Sequence, residues 1–387
     1  MRLKMNITKR LLILILLITV WGCQPLPEQN APAHSGTNES QTETTPESVA
    51  SENTPPVDQA PAESAPTIEV FFSQVDDGPE AAAANPNNID KKLVEKLDLA
   101  KTSIDAALHE IDSERIAEAL MRAKERGVMV SVVTETDYMD EFSIEQLQEA
   151  GIPIVNDNGR SGLMHNKFII IDGEFVWTGS LNTTDNGANK NNNNGVFIHS
   201  PELAENFAAE FEEMFNNQSF GKRSPKEIPH PVVQLPDGTE LLVRFSPENE
   251  VDQLIIDEIG TAHTQIRFMA FSFTHDGIGD ALLQKAAEGV EVKGIFEKRG
   301  STTRYSELPR LLEAGLDVRQ DGNPYVLHHK VIVIDDQTTI LGSFNFSQNA
   351  TKTNDENLLV IRHNKAVADQ FLQEFERLYA IAAVPAS

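Results

Sequence analysis

Two histidines and two lysines occur in the same arrangement at two places in this chain. His165 and Lys167 form one pair, His328 and Lys330 the other. Each pair is followed by four apolar residues, then an Asp (Asp172, Asp335), a Gly-Ser pair ending at Ser180 or Ser343, and an Asn (Asn182, Asn345). Every member of the second set lies 163 positions after its counterpart (328 against 165, 343 against 180), with no gap from His165–Ile198 to His328–Ile361. On an extended segment residues i and i+2 point the same way, so each His shares a face with its Lys. The ammonium opposes protonation of the ring, which stays neutral and nucleophilic near pH ~7. It also suits an oxyanion such as phosphate.

One copy supplies one His. Two copies brought face to face supply two His, two Lys and two Asn around one point, a set suited to phosphodiester cleavage. One His attacks phosphorus and forms a phosphohistidine. The other protonates the leaving oxygen, then activates water. Lys167, Lys330, Asn182 and Asn345 stabilise charge on the phosphoryl oxygens. No cofactor and no metal is called for, since no cluster of carboxylates or Cys offers ligands.

The duplicated pattern His-x-Lys-x4-Asp-x6-Gly-Ser-x-Asn resembles the phospholipase D superfamily over residues 67–385. Within the second half, Met269-Ala-Phe-Ser-Phe-Thr274 is similar to the bacterial nuclease and cardiolipin-hydrolase branch. The resemblance implies an α/β fold of two pseudo-twofold-related phospholipase D-like domains. Each is a mixed central sheet flanked by helices, with the active site at their interface, so a monomer suffices for a complete site. It also implies that Glu356 hydrogen-bonds a catalytic His, and the matching first-copy position is Asn193. The expectation is that Glu356 serves His328 as general acid, while Asn193 leaves His165 the more neutral ring and the nucleophile. Asp172 and Asp335 are expected to be buried and structural, and Ser180 and Ser343 to shape the turn. His329 should face away and pack, His109 and His275 should take a loop or rim role just after strands that reach the site, and Trp177 should lie in the core beneath the Gly-Ser turn.

The elements around the motif repeat as well. Each half opens on an apolar run ending in Phe-Ser, at Ile68–Ser73 and Leu241–Ser246. Helix-period segments follow over Ile89–Ala100 and Val251–Ala262, then apolar runs Ile104–Ile111 and Ile266–Phe273. Amphipathic helices stop at Gly127 and Gly289, and strands Val128–Val133 and Val290–Phe296 come next. Phe168–Ile171 and Val331–Ile334 are too apolar for half-exposed strands and suit burial on both faces. Alternating strand and helix predicts one α/β layer per half, over 67–221 and 237–387, with the Pro-rich 222–236 as linker.

The ends of the chain place it. Residues 1–23 carry a basic start, the apolar run Leu11–Val20 and a single Cys, Cys23, after Gly22. This resembles the signal and lipobox of a bacterial lipoprotein, cleaved before Cys23 and lipidated there. Residues 24–66 carry seven acids, no Lys or Arg and few large apolar residues, and read as a tether. The expected location is the bacterial cell envelope, outside the cytoplasm and anchored to a membrane. The net charge of −27 makes bulk nucleic-acid binding unfavourable. The leading expectation is therefore a phospholipase D-type enzyme acting on phospholipid head groups. The alternative is an extracytoplasmic nuclease cleaving DNA or RNA phosphodiesters.

Overall fold

A computed structural model describes residues 68–385. The expected export signal, Cys23 and all of the expected tether lie outside the described residues.

The first half contributes β1 (Ile68–Phe72), β2 (Ser103–Leu108), β3 (Met129–Thr134), β4 (Ile154–Asn156), β5 (Lys167–Ile171), β6 (Phe175–Gly179), the short β7 (Asn191–Asn192) and β8 (Asn194–His199). The second contributes β9 (Val233–Gln234), β10 (Glu240–Ser246), β11 (Gln265–Ala270), β12 (Glu291–Phe296), β13 (Asp317–Gln320), β14 (Val326–Leu327), β15 (Lys330–Ile334), β16 (Thr338–Gly342) and β17 (Glu356–Arg362). The first sheet runs β1-β8-β6-β5-β2-β3-β4 and the second β13-β12-β11-β15-β16-β17-β10-β9. Apart from β9, which falls within the segment expected as a linker, the two orders are the same. β2, β3 and β4 are parallel neighbours, as are β11, β12 and β13; the remaining pairings in both sheets are antiparallel. Both sheets are therefore mixed and flanked by helices, as the sequence predicts.

β5 and β15 sit mid-sheet and are buried at all five positions. One face of each sheet packs against its own helices, Ile89–Asp98 and Glu114–Glu125 in the first half and Val251–Gly260 and Asp276–Ala287 in the second. The opposite faces share a single apolar core, with helices Pro201–Phe215 and Lys365–Tyr379 in it. The packing there is reciprocal. Phe207 of the first-half helix meets Phe245 of β10 with ring centroids 5.3 Å apart, and Phe371 of the second-half helix meets Phe72 of β1 at 5.2 Å. Each half thus finishes the other's core. Burial of two aromatic rings per exchange, at roughly 1.5–3 kcal/mol each, favours a fixed face-to-face arrangement. Among the described residues, no helix is long and apolar enough to cross a membrane.

Candidate active site

The site lies where the two halves meet. β14 pairs parallel with β7, Val326 opposite Asn191 and Leu327 opposite Asn192. The matching bridge joins Met164 to Asp355. These crossings hold the residue before each histidine. The backbone N–H of His165 donates to Asp355 O at 2.9 Å, and that of His328 to Asn192 O at 3.0 Å. Two carboxylates that sequence reasoning passed over complete the brace. Glu135 accepts from the Met164 N–H at 2.6 Å and Glu297 from the Leu327 N–H at 2.7 Å. Their signal was present in the sequence: each directly follows the β3-type strand of its half.

Both His–Lys pairs are buried. Lys167 Nζ donates to His165 O at 2.9 Å and Lys330 Nζ to His328 O at 2.8 Å. The glycine of each Gly-Ser pair is obligatory for space, because a Cβ on Gly179 or Gly342 would lie 2.3 Å from the carbonyl oxygen of Asn194 or Asn357. The serines shape the turn by holding partner side chains. Ser180 Oγ donates to Asn193 Oδ1 and Ser343 Oγ to Glu356 Oε2, both at 2.8 Å.

The pairing of Glu356 and Asn193 corrects the expectation. Glu356 Oε2 is 2.6 Å from His165 Nδ1, and Asn193 Oδ1 is 2.9 Å from His328 Nδ1, which also faces Ser180 O at 3.0 Å. Each histidine takes its partner from the other half. The reason is packing: Asn193, directly before β8, and Glu356, the first residue of β17, point across the interface, whereas sequence proximity suggested a partner within the same copy. All three acceptors require a proton on Nδ1, so in each ring Nε2 is left for chemistry.

Electrostatics follow from burial. Desolvation, then Lys167 and Lys330, hold His165 well below the usual imidazole range; His328 is lowered by burial, then Lys330, Lys167 and His165. Burial pushes Lys167 down to about 7 and Lys330 well below its usual value, with Glu356 opposing both shifts. Glu356 itself is raised to about 7 by burial, with Lys167 opposing. Two cations crowded in a dry site are poorly satisfied by one carboxylate. An anionic diester would restore their charge.

Asn182 and Asn345 are held unequally. Asn182 Nδ2 donates to Glu110 Oε2 at 3.1 Å, and the Oδ1 atoms of both asparagines lack protein partners among the described residues. Asp172 and Asp335 are structural but half-exposed, which corrects the expected burial. They follow the last residues of β5 and β15, at the far end from the lysines. Asp172 accepts from the N–H groups of Lys101, Thr102 and Ser103, and Asp335 from those of His263, Thr264 and Gln265. His329 is fully buried between Asn194 and Glu374, and Trp177 stacks on Phe71 at 5.4 Å in the core. His275 caps helix Asp276–Ala287. His109 is not a rim residue: its buried ring lies 4.6 Å from that of His165. Among the described residues, no cluster of three or more His, Cys, Asp or Glu is arranged to hold a metal ion.

Comparison with known proteins agrees with this geometry. The family model described as cardiolipin synthase, PLD-like domain, matches residues 93–215 and again 255–379. A phospholipase D of Rickettsia bellii is 31% identical over 163 residues, 42% of this chain and 81% of its own. A mitochondrial cardiolipin hydrolase of Chlamydomonas reinhardtii is 33% identical over 124 residues, 32% of this chain and 55% of its own. The crystal structure of a phosphatidylserine synthase from Haemophilus influenzae shares the fold, with a TM-score of 0.62 over 82% of this chain and 87% of that one, at 16% identity. The family model covers both halves in turn, and the chain belongs to the phospholipase D-like family of phosphodiesterases.

Proposed function

We propose that this enzyme hydrolyses the head-group phosphodiester of phospholipids through a covalent phosphohistidine, without a metal. The observation that carries the reading is the pair of Nδ1-anchored histidines beside two buried lysines at the interface of the halves. The names of the relatives, phospholipase D and cardiolipin hydrolase, support a lipid substrate. An anchor at Cys23 in the cell envelope would hold the site at a membrane.

The roles follow from the sign of the charge change. In the first step Nε2 of the nucleophile bonds to phosphorus, the bond to the leaving oxygen breaks, and the acid histidine gives that oxygen its proton. The nucleophile ends positively charged and the acid ends neutral. A fixed carboxylate beside the nucleophile favours this change; beside the acid it would hold the proton back. Glu356 faces His165. His165 is therefore the nucleophile and His328, with its neutral partner Asn193, the acid. The residue assignment matches the one reached from sequence, but the reason is reversed. In the second step His328 takes a proton from water, the water oxygen attacks phosphorus, and the P–N bond breaks. Lys167, Lys330, Asn182 and Asn345 hold the phosphoryl oxygens.

The test is turnover of phosphatidylglycerol, phosphatidylcholine and single-stranded DNA by the full-length protein in EDTA. Lipid hydrolysis is expected. DNA cleavage without lipid turnover would establish the nuclease alternative instead. His165→Asn and His328→Asn should each lower kcat by at least about 10⁴-fold. With a 4-nitrophenyl ester, which needs little help from an acid, His328→Asn should retain phosphate on the protein and His165→Asn should not. The reverse outcome overturns the assignment.

A further inference from the structure

The two walls of the site differ next to each histidine. His109 and Phe271 hold matching places: their N–H groups donate to Asn166 O and His329 O at 3.1 and 2.9 Å. Their rings lie 4.6 Å from His165 and 4.8 Å from His328. Beyond His109 the first wall is acidic, with Glu110, Asp137 and Glu141 around Tyr138. Beyond Phe271 the second wall opens into a cavity of about 430 Å³ that reaches His328. Phe271, Phe273 and Phe296 form part of its lining, and Thr274, Ser301 and Arg299 supply polar groups. Among the described residues, no carboxylate lines it. A recess of about 810 Å³ adjoins it through Ser272, Thr274 and Ser306; it adds Asp276, the Glu307–Arg310 ion pair, and Arg304 stacked on Tyr305 with the guanidinium 4.6 Å from the ring.

An in-line displacement fixes which wall meets which part of the substrate. The nucleophile and the leaving oxygen lie on opposite sides of phosphorus. With His165 attacking from the first half, the leaving alcohol departs toward His328 and into the second-half cavity. We propose that this cavity is the head-group pocket and that it selects neutral or anionic polyol head groups over cationic ones. Arg299, Arg304 and the hydroxyl of Thr274 can hydrogen-bond hydroxyl or phosphate oxygens. A quaternary ammonium offers nothing to those donors and meets two guanidinium charges, while the acidic wall that would welcome it lies on the far side of phosphorus. The inference rests on the proposed phosphodiesterase reading and on His165 as nucleophile. With the roles reversed, the head group would face Glu110 and Glu141, and the preference would invert.

The test compares kcat/KM of the full-length protein for phosphatidylglycerol and phosphatidylcholine of matched chains, each dilute in neutral detergent micelles. Glycerophosphoglycerol and glycerophosphocholine serve as soluble counterparts free of surface effects. The glycerol head group should be favoured at least about tenfold in both formats, a difference of about 1.4 kcal/mol. Arg299→Gln, on the cavity lining, and Arg304→Gln, in the adjoining recess, should each cut that ratio by about threefold or more, since each removes one charge-assisted donor. A preference for choline, or a ratio unmoved by both variants, overturns the inference. Phosphate trapped on His328 would instead overturn the role assignment. Failure of every lipid to turn over would count against the proposed function, while the soluble diesters would still report the ratio.

Discussion

The two halves share their strand order, their motif spacing and their reciprocal aromatic contacts, yet one residue at each centre separates them. His165 faces a carboxylate, Glu356, and His328 faces an amide, Asn193. Each partner is lent by the opposite half. The serines, glycines and lysines around the two rings are the same; the other change beside the rings is His109 against Phe271. A symmetric scaffold therefore becomes a directional one. In the proposed mechanism one ring carries positive charge in the covalent intermediate, and the other gives up a proton. The same polarity extends outward to an acidic wall beside His165 and an arginine-bearing cavity beside His328.

Removing the charge at one centre should expose this asymmetry most clearly. Glu356→Gln keeps a side chain of the same shape and should lower kcat about 10²–10³-fold, because the phosphorylated ring loses its counter-charge. Asn193→Ala removes a neutral acceptor, and Ser180 O still meets His328 Nδ1. Its cost should be nearer fivefold, the scale of one neutral hydrogen bond at ~1 kcal/mol. Steady-state kinetics of both variants on one substrate would check the order. Equal losses would mean that the two partners merely orient their rings.

A second asymmetry concerns stability. Glu210 and Glu374 hold matching places on the two interface helices. Burial, with Glu248, Asp355 and Glu213 nearby, raises Glu210 well above the usual carboxyl range. Glu374 is lowered: burial opposes ionisation, but hydrogen bonds from His329 and Arg377 overcome it. The signs are opposite. A raised carboxyl stabilises the fold at low pH, and that contribution fades as pH rises above the unfolded value of ~4.3. A lowered one contributes above that value, and its contribution is lost as pH falls below it. Glu374→Gln should therefore lower the melting temperature by roughly 2–5 °C at pH ~8 and less at pH ~4. Glu210→Gln should raise it relative to the parent, by more at pH ~8 than at pH ~5. Parallel pH slopes for the two variants would contradict this account.

The smallest contrast is expected where the halves do not differ. Asp172 and Asp335 each cap the backbone N–H groups of a turn from a positive-φ position, at +57° and +50°. Asn tolerates that conformation and keeps one acceptor. Asp172→Asn and Asp335→Asn should each cost about 1–2 kcal/mol of stability, by equal amounts, and leave kcat/KM within about twofold. Thermal melts and kinetics of the pair would show whether the motif aspartates are scaffold alone.

Much of this was legible in the residues. The constant spacing of His165, Lys167, Ser180 and Asn182 against His328, Lys330, Ser343 and Asn345 fixed the duplication. Apolar runs such as Phe168–Ile171 fixed the buried central strands, and Gly127 and Gly289 the helix ends. These are local properties, since strand direction, turn space and burial depend on neighbours in the chain. The tertiary structure decided which histidine receives Glu356, why His109 belongs to the site, and where the cavity beside His328 opens. Each depends on how two nearly identical sheets meet. Spacing along a strand says which way a side chain points; it does not say which of two symmetry-related neighbours stands there. The packing of Phe207 on Phe245 and of Phe371 on Phe72 sets that choice, and with it the direction of the chemistry.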